Sequence, residues 1–123
     1  MTATDELRQA LDTQRTVEIT TIGRRTGRPR RIETWRYRAD GRYWLTGSPG
    51  SRDWYANLLA NPDFTLHLHQ RDIPVRGRVV TDPDERARVF REIVSGLGGA
   101  GSLKSWIEGS PLVEIELGVS GSR

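Results

Sequence analysis

Phe64, Leu66 and Leu68 alternate with Thr65, His67 and His69, and Val17 and Ile19 alternate with Glu18 and Thr20. A period of two belongs to strands with one dry and one wet face, and no helix can satisfy it. The same pattern runs through residues 30–38, where Ile32, Thr34 and Arg36 stand opposite Glu33, Trp35 and Tyr37. Asp40-Gly41 then turns the chain into a further strand at 42–46, because this dipeptide supplies the left-handed backbone of a two-residue hairpin. Residues 72–81 and 112–117 complete six strands, with Pro74 marking an edge or a bulge in the fifth.

Helical signals are fewer. Thr4 caps a predicted helix over 4–14, on which Leu7, Ala10 and Leu11 share a face. Ser51 caps a second over 52–60, stopped by Asn61-Pro62. Asp82-Pro83-Asp84-Glu85 opens a third with an acid cap, Pro at the first position and Glu three residues on; Ala87, Phe90, Val94 and Leu97 form its apolar face. Gly96–Gly101 holds four glycines and is expected to be an irregular connection. With no regular strand–helix–strand alternation, the expectation is an α+β fold: a small six-stranded antiparallel β-barrel with three flanking helices. One domain covers residues 1–123, with the N-terminal helix inside 1–14 and a loose tail at 118–123.

Several classes drop out. There is no Cys, which excludes a disulfide framework and a Cys-based zinc site. No apolar run reaches roughly 18 residues, so no membrane partner is expected. Met1-Thr-Ala-Thr-Asp-Glu has neither a basic nor an apolar stretch, and a cytoplasmic location follows as the expectation. His67 and His69 lack a third ligand, so no metal is assigned. No nucleophile–base set or carboxylate pair stands out, so no catalytic side chain is assigned. Such a chain is suited to holding a ligand, with a cofactor carrying the reaction.

The charge is unevenly placed. Residues 24–42 hold eight Arg and two acids, a local charge of +6 in a chain of net +3, so the remainder is −3. Lys104 is the sole Lys. Guanidinium groups bind phosphates and carboxylates bidentately, so a local cluster points to an anionic partner. Gly23-Arg-Arg-Thr-Gly-Arg-Pro29 could cradle one, its glycines letting backbone N–H groups approach closely, although it lacks the spacing and Lys of a P-loop. Gly47-Ser-Pro-Gly-Ser51 feeds a helix start bearing Trp54 and Tyr55, large rings that could border a flat ligand. Read plainly, the first segment is an exposed turn and Trp54 a core anchor.

At this point the residues become familiar. The run from Thr20 to Arg30, Thr-Thr-Ile-Gly-Arg-Arg-Thr-Gly-Arg-Pro-Arg, resembles the first signature of the deazaflavin-dependent nitroreductase family. Asp53-Trp-Tyr-Ala-Asn-Leu-Leu-Ala-Asn-Pro62 resembles its second. The resemblance implies a split β-barrel that binds coenzyme F420, a hydride carrier with a phosphodiester and an oligoglutamate tail. It implies that Arg24, Arg25, Thr26 and Arg30 hold the phosphate and tail. It further implies that Ile32, Glu33 and Thr34 line the deazaflavin through backbone groups with Trp35 beside them. Thr46, Gly47 and Ser48 would form the opposite wall, and Trp54, Tyr55 and Asn57 would close the site. Pro49 stands where the family often has Lys, and Ser95–Trp106 carries no Tyr where the nitroreductase members have several. Trp106 is expected to border the pocket instead.

The implied activity is an F420-dependent oxidoreductase passing hydride to a small unsaturated, quinone or nitro-type acceptor, with a homodimer as a possible assembly. Three rivals remain. FMN has one terminal phosphate and needs fewer Arg. A carrier would bind F420 without catalysis. A nucleic-acid binder would use Trp35, Tyr37, Tyr43 and Trp44 as stacking platforms between Arg36, Arg38 and Arg42; against it, the cluster occupies one hairpin and no nucleic-acid partner is expected.

Overall fold

The computed structural model describes residues 3–68, 70–97 and 102–117. Six strands are present: β1 (Thr16–Ile22), β2 (Pro29–Ala39), β3 (Arg42–Thr46), β4 (Asp63–Leu68), β5 (Arg71–Val79) and β6 (Leu112–Glu116). They close into an antiparallel barrel in the order β1-β2-β3-β6-β5-β4. Gly41 and Asp40 both take positive φ, as the hairpin between β2 and β3 requires. Pro74 sits opposite Thr65 of β4, in the part of β5 that β6 does not reach, so its missing N–H costs no ladder bond on that side.

Four helices flank the barrel rather than the expected three: α1 (Ala3–Asp12), α2 (Asp53–Ala60), α3 (Pro83–Gly96) and α4 (Leu103–Gly109). The additional one, α4, is capped by Ser102, whose hydroxyl accepts from the Ser105 N–H at 3.3 Å. Trp106 anchors α4 by packing on Phe90 of α3, with ring centres 6.0 Å apart. It is therefore a buried core residue. Thr4 lies inside α1 instead of preceding it. Ser51 does not cap α2: Arg52 holds that position, and its side chain makes no capping hydrogen bond. The buried face of α3 is Arg86, Val89, Phe90, Ile93 and Val94, while Leu97 is exposed. His69, residues 98–101 of the glycine run and the 118–123 tail lie outside the described residues.

Two cores result. The barrel interior is filled by Val17, Ile19, Tyr43, Leu45, Phe64, Leu66, Val113 and Ile115, and closed by Leu11, Trp54 and Leu58 from the helices. The second core lies on the outside of the sheet, where Ala39, Trp44 and Leu112 meet Val89, Phe90, Ile93 and Trp106. Strand β3 is thus dry on both faces, with Tyr43 in one core and Trp44 in the other. Neither of these two rings is free to stack a nucleobase, although Trp35 is exposed. No helix among the described residues is long and apolar enough to cross a membrane.

Charge pairs tie the second layer to the barrel. Arg78 of β5 donates to Glu85 of α3 at 3.0 and 2.5 Å and to Glu114 of β6 at 2.8 Å. The hydrogen bonds from Arg78 hold the Glu85 carboxyl below its ordinary pKa, against the opposing effect of burial. A depressed folded-state value adds stability above the unfolded pKa and loses it as the pH falls through the folded one. Glu85→Gln should therefore lower stability at neutral pH and flatten the acid limb of a stability–pH curve; an unchanged limb would disprove the coupling.

Gly77 offers a sharper test of barrel packing. A Cβ there would lie 2.8 Å from Val113 Cγ1 and 3.3 Å from Phe64 Cε1. Gly77→Val should cost about 1–3 kcal/mol by overpacking. At Gly96 no atom lies within 4 Å of the corresponding position. Gly96→Ala should therefore be neutral or stabilising, by up to about 1 kcal/mol. Urea unfolding of both variants measures the contrast, and equal midpoints would refute it.

Candidate functional site

The site follows from a mismatch in strand length. All of β2 from Pro29 to Trp35 is registered against β1, but its pairing with β3 begins only at Trp35, opposite Thr46. Residues 29–34 therefore have a strand on one side only. At about 3.3 Å per residue this leaves roughly 20 Å of open sheet edge with unpaired backbone groups. Beyond Thr46 the chain leaves the sheet as the 47–52 loop and turns into α2.

The arginine loop, residues 23–28, runs directly into this open edge at Pro29. Asn57 of α2 is buried, and its Oδ1 accepts from the Arg24 backbone N–H at 3.1 Å and from Arg24 Nη1 at 2.9 Å. Its Nδ2 donates to Thr21 Oγ1 at 3.1 Å. Arg24 also pairs with Asp53 at 3.5 Å. The loop itself is closed by Gly23 N–H to Arg28 O and Gly27 N–H to Gly23 O, both 2.8 Å, with Gly27 at φ 70°. Thr26 Oγ1 accepts from the Arg28 N–H at 3.1 Å. Asn57 and Asp53 thus join the arginine loop to the start of α2, at the end of β2 that carries the open edge.

The residues singled out above divide within this frame. Ile32 and Thr34 point into the barrel, while Glu33 and Trp35 point outward; Trp35 is 51% exposed and Glu33 accepts from Thr16 Oγ1 at 2.8 Å. Thr46 is fully buried and its hydroxyl is committed to the Pro111 carbonyl, so it has only backbone to offer. Gly47 is buried and Ser48 exposed at the wall. Trp54, only 8% exposed, is mainly a core residue, with Tyr55 set edge-on to it at 6.1 Å. Arg30 lies opposite Thr21 on the strand face that carries the Asn57 contact.

The arginine cluster is not a single patch. Arg31 pairs with Glu18, Arg38 with Asp12 and Arg42 with Glu114, while Arg36 donates twice to the Gln14 carbonyl. Among the described residues, eight arginines pair with carboxylates. The side chains of Arg25, Arg28 and Arg30 are exposed at the loop and make no such pair.

Two features escaped sequence reasoning. Arg52 folds back over the wall and donates to Ser48 O at 2.9 Å and Gly50 O at 2.8 Å, filling the space that a side chain at Gly47 would need. His67 bridges Thr20 Oγ1 and Asp72 Oδ1, each at 2.7 Å, on the sheet face outside β1 and β4. No cluster of three metal-ligating side chains occurs among the described residues. A separate hollow of about 220 Å³ lies at the other end of β2, lined by Arg8, Arg42, Tyr43 and Glu114–Leu117, but there Arg42 and Glu114 already pair at 3.6 Å.

The Asn57 contacts with Arg24 and Thr21 can be tested directly. Asn57→Leu leaves the Arg24 amide and Thr21 without their partner, a loss of about 1–3 kcal/mol. Hydrogen exchange at the Arg24 amide should accelerate well beyond that of the barrel strands. Exchange that changes equally everywhere would show that Asn57 supports only the core.

A sequence profile of the F420H(2)-dependent quinone reductase family matches residues 3–116. A curated relative named as an F420H(2)-dependent quinone reductase, Rv3178 of Mycobacterium tuberculosis, is 37% identical over 68 residues, 54% of this chain and 56% of that protein. The match thus spans about half the length of that relative. The crystal structure of Rv2991, a conserved hypothetical protein of Mycobacterium tuberculosis, superposes with TM-score 0.65 at 18% identity, covering 95% of this chain and 81% of the other. An F420-H2 dependent reductase, FDR-A, superposes with TM-score 0.59 at 19% identity over 84% of this chain and 95% of its own. These two structures share the fold. On the profile match over nearly its whole length, the chain belongs to the F420H(2)-dependent quinone reductase family, a family of oxidoreductases named for the reduced deazaflavin they use.

Proposed function

We propose that this protein is an F420H2-dependent reductase that delivers a hydride to a quinone bound in the slot at the open edge of β2. The observation that carries this reading is the position of Arg25, Arg28 and Arg30. They stand exposed beside the open edge of β2 and, among the described residues, pair with no carboxylate, whereas eight other arginines do. Three free guanidinium groups suit a phosphodiester followed by several carboxylates better than the single phosphate of FMN.

The residues fit the cofactor in parts. Arg25, Arg28 and Arg30 hold the anionic tail, with Thr26 shaping the turn that presents them. Arg24 is already bonded to Asn57 and Asp53, so it positions the loop and adds positive potential. Backbone groups of residues 32–34 would meet the polar edge of the flat ring, as a strand would. Gly47 and Ser48 form the facing wall, and Tyr55 bounds the α2 end with the buried edge of Trp54. Trp35 stands exposed beside the mouth, where a flat acceptor can lie against it. When bound, F420H2 supplies the hydride; the chain supplies orientation and shelter from water, and the proton is left to solvent.

Fluorescence titration with F420 tests the assignment. Each of Arg25→Ala, Arg28→Ala and Arg30→Ala should weaken binding by about threefold to tenfold, the range of a lost charge-assisted hydrogen bond in a partly exposed site. The weakening should shrink for an F420 analogue lacking the glutamates. Oxidation of F420H2 by a water-soluble benzoquinone should require the protein. Tighter binding of FMN than of F420, or a triple Arg variant with unchanged F420 affinity, would overturn the proposal.

A further inference from the structure

The slot wall at residues 47–50 is held from behind. Gly109, Ser110 and Pro111 form a strap between α4 and β6, and all three of their carbonyls are engaged. The Gly109 carbonyl accepts from the Gly50 N–H at 2.9 Å, and the Pro111 carbonyl accepts from the Thr46 hydroxyl. The middle one, that of Ser110, accepts from Arg86 Nη2 at 2.5 Å. The first and third bonds therefore belong to the wall, and the second belongs to a residue of α3. Pro49 packs on Gly109 closely enough that a Cβ at Gly109 would lie 3.3 Å from Pro49 Cβ.

Arg86 is an unusual occupant of that place. It is buried, and its other two guanidinium nitrogens, Nε and Nη1, donate to Ile107 O at 2.8 Å and Val80 O at 2.9 Å. Its guanidinium lies 5.3 Å from the centre of the Phe90 ring. Among the described residues no carboxylate pairs with it. A buried cation neutralised only by carbonyl dipoles is a costly way to fill a core, since a hydrophobic side chain of similar volume avoids the desolvation. Its distinctive property is a rigid fork that fixes three peptide planes at once, which neither Lys nor Met reproduces.

We propose that Arg86 is a positioning residue for the cofactor wall. By fixing the Ser110 peptide it orients the flanking carbonyls of Gly109 and Pro111, and through them sets the 47–50 loop before any ligand arrives. A wall fixed in advance binds a flat ring without the cost of ordering a loop. This inference rests on the F420 reading for its ligand, but not for the loop it orders.

The test uses the full-length protein with Arg86→Met and Arg86→Lys. Native-state hydrogen exchange compares the Gly50 amide, bonded to Gly109, with the Gly77 amide, bonded to Pro62 O at 2.8 Å inside the barrel. In both variants Gly50 should lose about tenfold or more in protection relative to Gly77, the size of one lost charge-assisted hydrogen bond. F420 affinity should fall by a similar factor, with Lys giving no rescue. Parallel loss at Gly50 and Gly77 would mean a role in stability alone and would overturn the proposal. A loosened Gly50 with unchanged F420 affinity would overturn it too. If neither variant folds, Thr46→Val cuts the strap's third bond from the wall side, and unchanged Gly50 exchange there would refute the strap. Failure of the wild-type protein to bind F420 would end the functional reading and leave the exchange comparison to decide the role of Arg86.

Discussion

The proposed site depends on one buried amide side chain. Asn57 uses both ends of its carboxamide, taking two hydrogen bonds from Arg24 and giving one to Thr21. It therefore binds the β1–β2 loop to the start of α2. Without that contact the arginine loop is an exposed hairpin beside an unpaired strand edge, and its charges have no fixed relation to the 47–52 loop. With it, the loop, β1 and the start of α2 are held together beside that edge. A fully satisfied buried amide is rigid, because every alternative leaves a polar group unpaired in a dry place.

The position of the open edge follows from how the two cores share the barrel. Strand β3 is five residues long and dry on both faces, and β2 is eleven. The second core, built by α3 and α4, covers β2 only near Ala39. The other end of β2 has neither a third strand nor a covering helix. The second core still reaches the site indirectly, since α4 and the strap that follows it brace the 47–50 loop. Packing on one side of the sheet is thus linked to the 47–50 loop through hydrogen bonds to consecutive carbonyls.

Much of this was legible in the chain. Period-two alternation marks β1 and β4, Asp40-Gly41 marks the hairpin, and Asp82-Pro83 marks the start of α3, because each is a local rule with little competition. Helix α4 was hidden by the glycine run before it: seven residues carry too little periodicity, and Trp106 earns its place only through contact with Phe90. The cap of α2 was misplaced by one residue because Ser51 is the better capping side chain, while Arg52 is drawn away by the Ser48 and Gly50 carbonyls. Of the arginine cluster, the sequence shows the density but not the division of labour. Whether an Arg meets Glu18, Asp12 or nothing depends on strand register, which alternation alone does not specify. Arg52 and Arg86 were illegible for a further reason: their partners are backbone carbonyls, and no residue spacing announces those. The His67–Asp72 pair needed the β4–β5 register as well.

The central claim is that the arginine loop, the open β2 edge and the 47–57 segment form one binding site. Backbone amide shifts of the isotopically labelled protein, followed during F420 titration, test it most directly. The account predicts saturating shifts over residues 25–34 and 47–57, with little change at Arg8, Gly41 and residues 114–117 at the opposite end of β2. Shifts concentrated at that opposite end, with the arginine loop unmoved, would contradict it.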